Sequence, residues 1–463
     1  MRTDVPSNPR ERSASLRRRS LRAGAWVGGG HVVGQVTRLI GNLILARLLM
    51  PDAFGIMAVI STLMMALNLI SDIGAGTVIV QSHRGAERAF LHTAWTLQII
   101  RGLALWMLGL VVAATVALGQ SWGWFVAGTV YADPQLPPMI AVATFGLAII
   151  GFGSVNNKLA ERNLDLRKLS LVDIAAGLGS LVVTVGLALW TASVWALVVG
   201  GLVTSLLKCV LSHLLLEGPR PALRLEPEAF RELISKGKWI LLTTLMGFIA
   251  TNGDRLLLGG LADSTSFGLY SIAFGLATLG STVLNMVMMR VVYPAVSEVV
   301  RERRADLPRT YRKFQQLIDV SLGLLAGAMF MASETIIDLL YDDRYQGAGH
   351  IFAVLAIGSL GARMFLVELV YTAMGRNSLV AASMLPRVVV LLVGLPLGFA
   401  HYQLDGALTA IVLSQFAHWP IALWFRYKEG LTSLWNDACL PVALVAGGAV
   451  GWLLDKALAW VLY

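Results

Sequence analysis

The sequence predicts an all-α protein that crosses a lipid bilayer about a dozen times. Two observations carry that expectation. Apolar runs of about 20 residues, the length a helix needs to cross a hydrocarbon core, recur along the whole chain. The charged residues between them are crowded into alternate loops. Of the 463 residues, 56% are hydrophobic and only 14% charged, with a mean hydropathy of +0.69; an ordinary soluble domain carries about 25% charged residues. Lipid offers no partner to backbone N–H and C=O groups, which leaves helices or a closed barrel. Barrel strands would alternate in polarity over about ten residues, whereas these runs are continuously apolar.

The elements follow in order. Residues 1–22 (MRTDVPSNPRERSASLRRRSLR) are polar and arginine-rich, and read as a disordered basic tail. The apolar segment behind them is too long for a signal peptide, carries His31, Gln35 and Arg38, and shows no clear cleavage site, so it is a retained first span. Spans are expected at 24–49, 54–80, 90–118, 135–157, 169–190 and 194–215, forming a six-helix lobe over 23–215. A second six-helix lobe over 238–425 has spans at 238–261, 267–294, 316–340, 348–374, 378–400 and 405–425. The region 426–463 adds one further helix, at 437–454. The linker 216–237 and the segment 295–314 mix basic and apolar residues, as amphipathic surface helices do; a solvated connector fits them equally well.

Lysines and arginines set the orientation. The basic tail, Arg84 and Arg88, then Lys158, Arg162, Arg167 and Lys168, fall on one side of this topology. So do Lys208, Arg220, Arg224, Arg231, Lys236 and Lys238, the group from Arg301 to Lys313, and Arg376, Arg426 and Lys428. The opposite loops hold Arg344. Cytoplasmic loops are the basic ones, so the N-terminus is expected in the cytoplasm. The net charge of +9 is thus explained by a membrane rather than by nucleic acid. Cys209 and Cys439 have no metal-ligand spacing, so neither a metal site nor a disulfide framework is expected, and no cofactor.

The two lobes repeat. Sliding Gly24 onto Gly237 puts Trp26 on Trp239, Gly34 on Gly247, Leu43 on Leu256, Leu48 on Leu261, and Phe54-Gly55 on Phe267-Gly268. Six is an even number of spans, so the lobes share orientation about a pseudo-twofold along the membrane normal, as parallel repeats do. Pairs at small-xxx-small spacing, Gly24/Gly28, Gly30/Gly34, Gly323/Gly327, Gly394/Gly398 and Gly447/Gly451, point to close helix packing. Pro386, Pro396 and Pro420 are candidate kinks.

The turn LARLLMPDAFGIMAV with SDIGAGTVIVQ (71–81), ERNLDLRKL (161–169), TASVWALVVGGLV (191–203), GDRLLLGGL (253–261), SFGLYSIAFGL (266–276), VVYPAVSEV (291–299) and LLYDDRYQGAGHIFAVLA (339–356) carry a resemblance over residues 20–425. Their order and spacing resemble the polysaccharide and lipid-linked-oligosaccharide flippases of the multidrug/oligosaccharidyl-lipid/polysaccharide exporter superfamily. In ERNLDLRKL, Asp165 and Leu166 depart slightly from the family's R-x-L-x-F-x-x-L element. The resemblance implies a bacterial inner-membrane protein that moves an undecaprenyl-diphosphate-linked oligosaccharide between leaflets, for exopolysaccharide or O-antigen synthesis. It implies alternating access by two lobes rocking about a central cavity. Membrane lipids and the polymerase or export machinery are its expected partners. The lipid II branch has an Arg-Asp pair where this chain has Asn42 and Leu43 after Arg38-x-x-Gly41, which counts against that branch.

Ionisable groups at mid-bilayer are costly and ask for a reason. His31, Gln35, Arg38 and Asn42 share one face of span 1, which must meet a partner helix or a wet lumen. Arg255, Arg363 and Arg387 lie at similar depth, and arginine's planar fork suits a diphosphate. Gln35, Arg38, Asn42, Arg255, Arg363 and Arg387 are therefore the candidate substrate-binding residues. Asp254 is a candidate coupling or ion-pair residue, as are Asp72 with Arg101 and Glu368 with Arg363. Each arginine could equally serve a buried ion pair. A cation-coupled multidrug or metabolite antiporter of the same superfamily is the competing reading, and it would line its cavity with carboxylates. An enzyme would need a larger outer loop than 119–134, and no nucleophile–base arrangement is present.

Overall fold

The computed structural model describes residues 9–70, 84, 87–163, 165–219, 222–228, 230 and 238–462, almost entirely as helix. Among the described residues, nine helices are long and apolar enough to cross a membrane, or ten with the bent pair Leu136–Gly151 and Asn156–Arg162 counted as one span. The chain is thus a multi-span helical membrane protein. Pro9–Leu48 and Lys238–Leu261 fall outside that number although both are long helices. Their polar centres, Gln35, Arg38 and Asn42 in one and Asn252, Asp254 and Arg255 in the other, lower their hydropathy. The run Ser378–Lys428 is two arms. At Tyr402 and Gln403 the backbone leaves the helix, Gln403 at φ 53°, and the arms pack back closely enough that a Cβ on Gly398 would meet the carbonyl oxygen of Gly406 at 2.4 Å. A helix therefore occupies each expected span, with 71–80 outside the described residues. One expectation fails at the start: helix begins at Pro9, so much of the basic tail is helical. Its Ala, Leu, Arg and Glu residues have good helix propensity and extend a helix already formed behind them.

Two compact units form. The first comprises Met1–Leu49, Leu63–Trp122 and Pro134–Leu242. Helix Arg88–Ser121 packs on Leu136–Gly151, and Leu166–Thr191 packs on both Trp195–Leu215 and Pro9–Leu48. Leu136–Gly151 ends before a 61° bend, where its last carbonyls need partners. Side chains supply them: Gln98 Nε2 donates to the carbonyls of Ile150 and Gly151 at 3.2 Å, and Trp95 Nε1 to that of Gly153 at 3.1 Å. Of the linker, for which a surface helix and a solvated connector fit equally well, residues 227, 228 and 230 are helical and 222–226 form a non-helical strap. Its backbone N–H groups at Ala222, Arg224 and Glu226 donate to His92 Nδ1 (2.8 Å), Thr96 Oγ1 (3.0 Å) and Thr93 Oγ1 (2.9 Å). Arg84 clasps Glu226 at 3.0 Å.

The second unit comprises Met50–Thr62, Gly123–Asp133 and Thr243–Tyr463, so the turn at 50–62 and the loop 123–133 belong with the later helices. The two repeat-equivalent Phe-Gly turns stack directly on each other. A Cβ on Gly55 would lie 3.1 Å from the Gly268 nitrogen, and one on Gly268 would collide with the Pro51 carbonyl. Tyr131 closes the same end by donating to the Leu256 carbonyl at 3.1 Å; burial pushes its phenol up to about 12, so it stays a neutral donor. Helix Ser264–Val287 runs through a wide π-turn at Met288–Val292 into Tyr293–Glu302, and Asn377–Val389 through another at Val390–Gly394 into Leu395–Phe416. Each π-turn ends two residues before a proline, Pro294 or Pro396. Proline lacks the N–H and clashes with the carbonyl one turn back, and the wider turn absorbs both defects. Pro386 lies inside a helix without a break, and Pro420 opens a new one. The segment at 295–314 does hold an amphipathic helix, Tyr293–Glu302, with Val296 and Val299 buried and Arg301 exposed.

The last helix, Cys439–Leu462, lies along Leu307–Met331, and the small-residue pairs on both meet. A Cβ on Gly327 would reach the Leu444 carbonyl oxygen at 2.2 Å, and one on Gly447 the Leu324 carbonyl oxygen at 2.3 Å. In lipid, packing of this kind is a main source of helix association. Gly447→Val is expected to lower stability by about 1–3 kcal/mol, read as an earlier thermal transition of the detergent-purified protein. Gly448→Val, whose Cβ meets only Met331 Cγ at 3.6 Å, should leave that transition in place.

Candidate functional site

Within the second unit, a cavity of about 400 Å³ opens among the helices that carry Asp254, Glu368, Arg387, Gln415 and His418, a volume in the ordinary range of small-ligand pockets. Asp254, in the middle of Lys238–Leu261, is 4% exposed. Its Oδ2 accepts from the Tyr270 hydroxyl, and its Oδ1 has no hydrogen-bond partner among the described residues. Arg255 follows at about 100° around the helix and points elsewhere. Its Nη1 donates to Asn252 Oδ1 at 3.2 Å, and its guanidinium lies 4.2 Å from the centre of the Phe274 ring, a cation–π distance.

Glu368 Oε1 accepts from Ser383 Oγ at 3.3 Å. Arg387 Nη2 donates to Gln415 Oε1 at 2.6 Å, while its Nε meets no partner. Glu368 and Asp254 are the carboxylates that line the cavity with this guanidinium. His418 Nδ1 is likewise buried and unpartnered. A hydroxyl-rich face of Ser264–Val287, with Thr278, Ser281, Thr282 and Asn285, forms another wall. Thr278 and Thr282 donate to backbone carbonyls one turn back, at 2.8 Å each, so their oxygens face the cavity as acceptors. Unsatisfied buried polar atoms are rare in native interiors. Three residues that carry one, Asp254, Arg387 and His418, line this single cavity and make it the candidate site for a polar or ionic group.

Of the residues singled out from sequence, the structure brings Asp254, Glu368 and Arg387 to this cavity, with Arg255 behind its Phe274 wall. It does not bring Arg363. The expected pairing of Arg363 with Glu368 gives way to a bidentate pair with Asp319, Nε to Oδ1 at 2.8 Å and Nη2 to Oδ2 at 2.9 Å. Arg363 Nη2 also meets Asp437 Oδ1 at 2.5 Å, Arg426 Nη2 reaches the same oxygen at 2.7 Å, and Gln315 bridges both aspartates. The physical reason is charge balance: two guanidiniums and two carboxylates from different helices neutralise one another, which no pairing within span 10 can do. Arg426, expected among the loop charges, is fully buried in this cluster.

In the first unit, Arg38 and Asn42 are exposed and Gln35 half-buried, on a face beside the one where Gly30 meets Ser170 and Gly41 meets Leu181. Arg101 Nη2 donates to the Asn68 carbonyl at 2.9 Å. Asp72 lies outside the described residues, and with it the expected Arg101–Asp72 pair. Sequence reasoning missed Gln415, His418 and Tyr270. The signal for the first two was a Gln and a His three apart in an otherwise apolar span, and a search on charge alone passes over them.

A protein-family model described as "Polysaccharide biosynthesis protein" matches residues 44–350. The lipopolysaccharide biosynthesis protein WzxC of Escherichia coli is 22% identical over 460 residues, covering 96% of this chain and 90% of that protein. The teichuronic acid biosynthesis protein TuaB of Bacillus subtilis is 23% identical over 403 residues, covering 82% and 77%. Among solved structures, the lipid II flippase MurJ in an inward closed conformation superposes with a TM-score of 0.66 at 11% identity, covering 95% of this chain and 99% of that one. A MATE family multidrug resistance transporter of the MOP superfamily, facing inward, gives 0.65 at 16% identity, covering 86% and 94%. These superpositions bear on the fold alone.

The buried ion cluster makes a sharp prediction. Asp437→Asn removes the carboxylate that buried Arg426 meets and leaves Arg363 with Asp319 alone, and breaking a buried pair from one side costs about 3–5 kcal/mol. The variant is expected to unfold at markedly lower temperature than wild type in a detergent melt, whereas Glu368→Gln, outside the cluster, should stay near wild type.

Proposed function

We propose, from the premise that this chain belongs to the polysaccharide biosynthesis protein family, that it is a flippase for lipid-linked polysaccharide precursors. In finer terms, it moves an undecaprenyl-diphosphate-linked oligosaccharide across the bacterial inner membrane by alternating access, with its N-terminus in the cytoplasm. The names of the two curated relatives, a lipopolysaccharide and a teichuronic acid biosynthesis protein, support surface-glycan synthesis as its setting. The observation that carries the reading to the site is Arg387: a guanidinium held by Gln415 and lining a cavity in a membrane-embedded unit. Such a donor suits a phosphate or carboxylate oxygen. At about 400 Å³ the cavity suits a headgroup fragment rather than a whole repeat unit. Separately, Arg38, Gln35 and Asn42 give the first unit a polar face of its own. The basic loops named above support the orientation.

One observation favours a second reading. Two carboxylates, Asp254 and Glu368, share the cavity with a single arginine, an arrangement suited to a cation, as in an antiporter of the same fold.

The deciding experiment follows lipid-linked repeat units in each leaflet after deletion of the gene, with variants as rescuers. Wild type should clear the units that accumulate on the cytoplasmic side, and Arg387→Ala and Arg38→Ala should clear them at least tenfold more slowly. Normal surface glycan in the deletion strain, together with sensitivity to cationic toxicants, would replace the flippase by the antiporter. Alkaline phosphatase fusions test orientation separately: fusions after residues 126 and 343 should be active, and fusions after 162 and 303 inactive.

A further inference from the structure

The basic end of the second unit divides its arginines into two kinds. Arg301 pairs with Glu302 at 2.8 Å, Arg303 with Glu298 at 3.3 Å, and Arg304 and Arg376 share Glu429 at 3.3 and 2.9 Å. Arg309, Arg312 and Lys313 are exposed and meet no carboxylate within ion-pair distance among the described residues. They stand at i, i+3 and i+4 on the opening turns of helix Leu307–Met331, so they project from one face and repel one another. They also crowd the positive end of the helix dipole. Such an arrangement disfavours the helix unless an anion compensates it.

The same exposed face continues into Leu317, Val320 and Leu324, at four- and three-residue steps from the cations. It thus changes from basic to apolar within one turn, as a surface does where it passes from lipid headgroups into acyl chains. Beside it stands Trp435, 86% exposed. Its neighbour Asn436 fixes that segment to the helix by accepting from Gln316 Nε2 at 2.9 Å and donating to the Arg312 carbonyl at 3.3 Å. Exposed tryptophan at the border between polar and apolar surface is the mark of the membrane interface.

We propose that Arg309, Arg312 and Lys313, with Trp435 alongside, form a binding site for the phosphate of an anionic phospholipid in the leaflet facing this end of the unit. The three cations surround the phosphodiester, the indole lies at the level of the glycerol backbone, and Leu317, Val320 and Leu324 accompany the acyl chains. The apolar continuation selects a membrane lipid over a soluble anion. A cation near an anionic membrane surface contributes about a fivefold change in affinity.

Purified full-length protein in neutral detergent, titrated with phosphatidylglycerol, tests the site by native mass spectrometry and thermal shift. Wild type is expected to retain phosphatidylglycerol and melt later with it. The Arg309→Gln/Arg312→Gln/Lys313→Gln variant should bind at least tenfold more weakly, while Arg301→Gln/Arg303→Gln binds as wild type. Equal binding by the triple variant overturns the site. So does equal binding of phosphatidylcholine, or the same thermal shift from inorganic phosphate. Should the triple variant fail to fold, single Arg312→Gln decides: about fivefold weaker binding supports the site, and unchanged binding overturns it.

Discussion

Hydrocarbon supplies no hydrogen bonds, so every polar group carried into the membrane must find its partner in the chain. The second unit meets this constraint in two ways. Around Arg363 it builds a set closed by charge, in which Asp319 and Asp437 balance Arg363 and Arg426 with Gln315 as bridge. Arg426 Nε and Nη1 and Asp319 Oδ1 nevertheless keep no hydrogen-bond partner among the described residues. Around Arg387 it builds an open set, in which Asp254, Arg387 and His418 each keep an atom without a partner and a cavity lies between them. The closed set holds four segments of chain together. The open one has a cavity beside its charges, and for that reason is the place where a ligand has room.

Much of this was legible in the sequence. Hydropathy places most of the described spans, because length and apolarity are local properties, while the polar centres of Pro9–Leu48 and Lys238–Leu261 lower theirs. The spacing of Gly323/Gly327 and Gly447/Gly451 announced close packing; that these two pairs face each other is a tertiary fact that spacing cannot carry. Arg363 shows the limit most clearly. Glu368 is its nearest acidic neighbour in its own span, yet the guanidinium turns to Asp319 one span earlier and to Asp437 three spans later. Arg426 looked like a loop charge because it ends a span, and Asp437 draws it inside. Gln415 and His418 carry no obligatory charge and stay hidden to a search for charges. The strap at 222–226 is held by side chains of a distant helix, so its own composition does not reveal it.

The internal repeat also acquires a physical meaning. Matching Phe54-Gly55 to Phe267-Gly268 is, in sequence, only an alignment. In the second unit the two turns lie on each other, each glycine allowing the other's backbone to approach. Self-complementary contact between equivalent surfaces is what a twofold relation produces. The glycines are required there because a side chain at Gly268 would occupy the place of the Pro51 carbonyl.

The pairing of Leu307–Met331 with Cys439–Leu462 also bears on how the protein is made. Translation delivers the groove of Gly323 and Gly327 long before the ridge that fills it, and the three spans at 348–374, 378–400 and 405–425 must enter the membrane in between. Throughout that interval the groove can be covered only by lipid or by the insertion machinery. The second unit therefore becomes a finished body at a late moment of its own biosynthesis, and quality-control proteases that survey membrane proteins have a defined surface by which to recognise chains that never reach it.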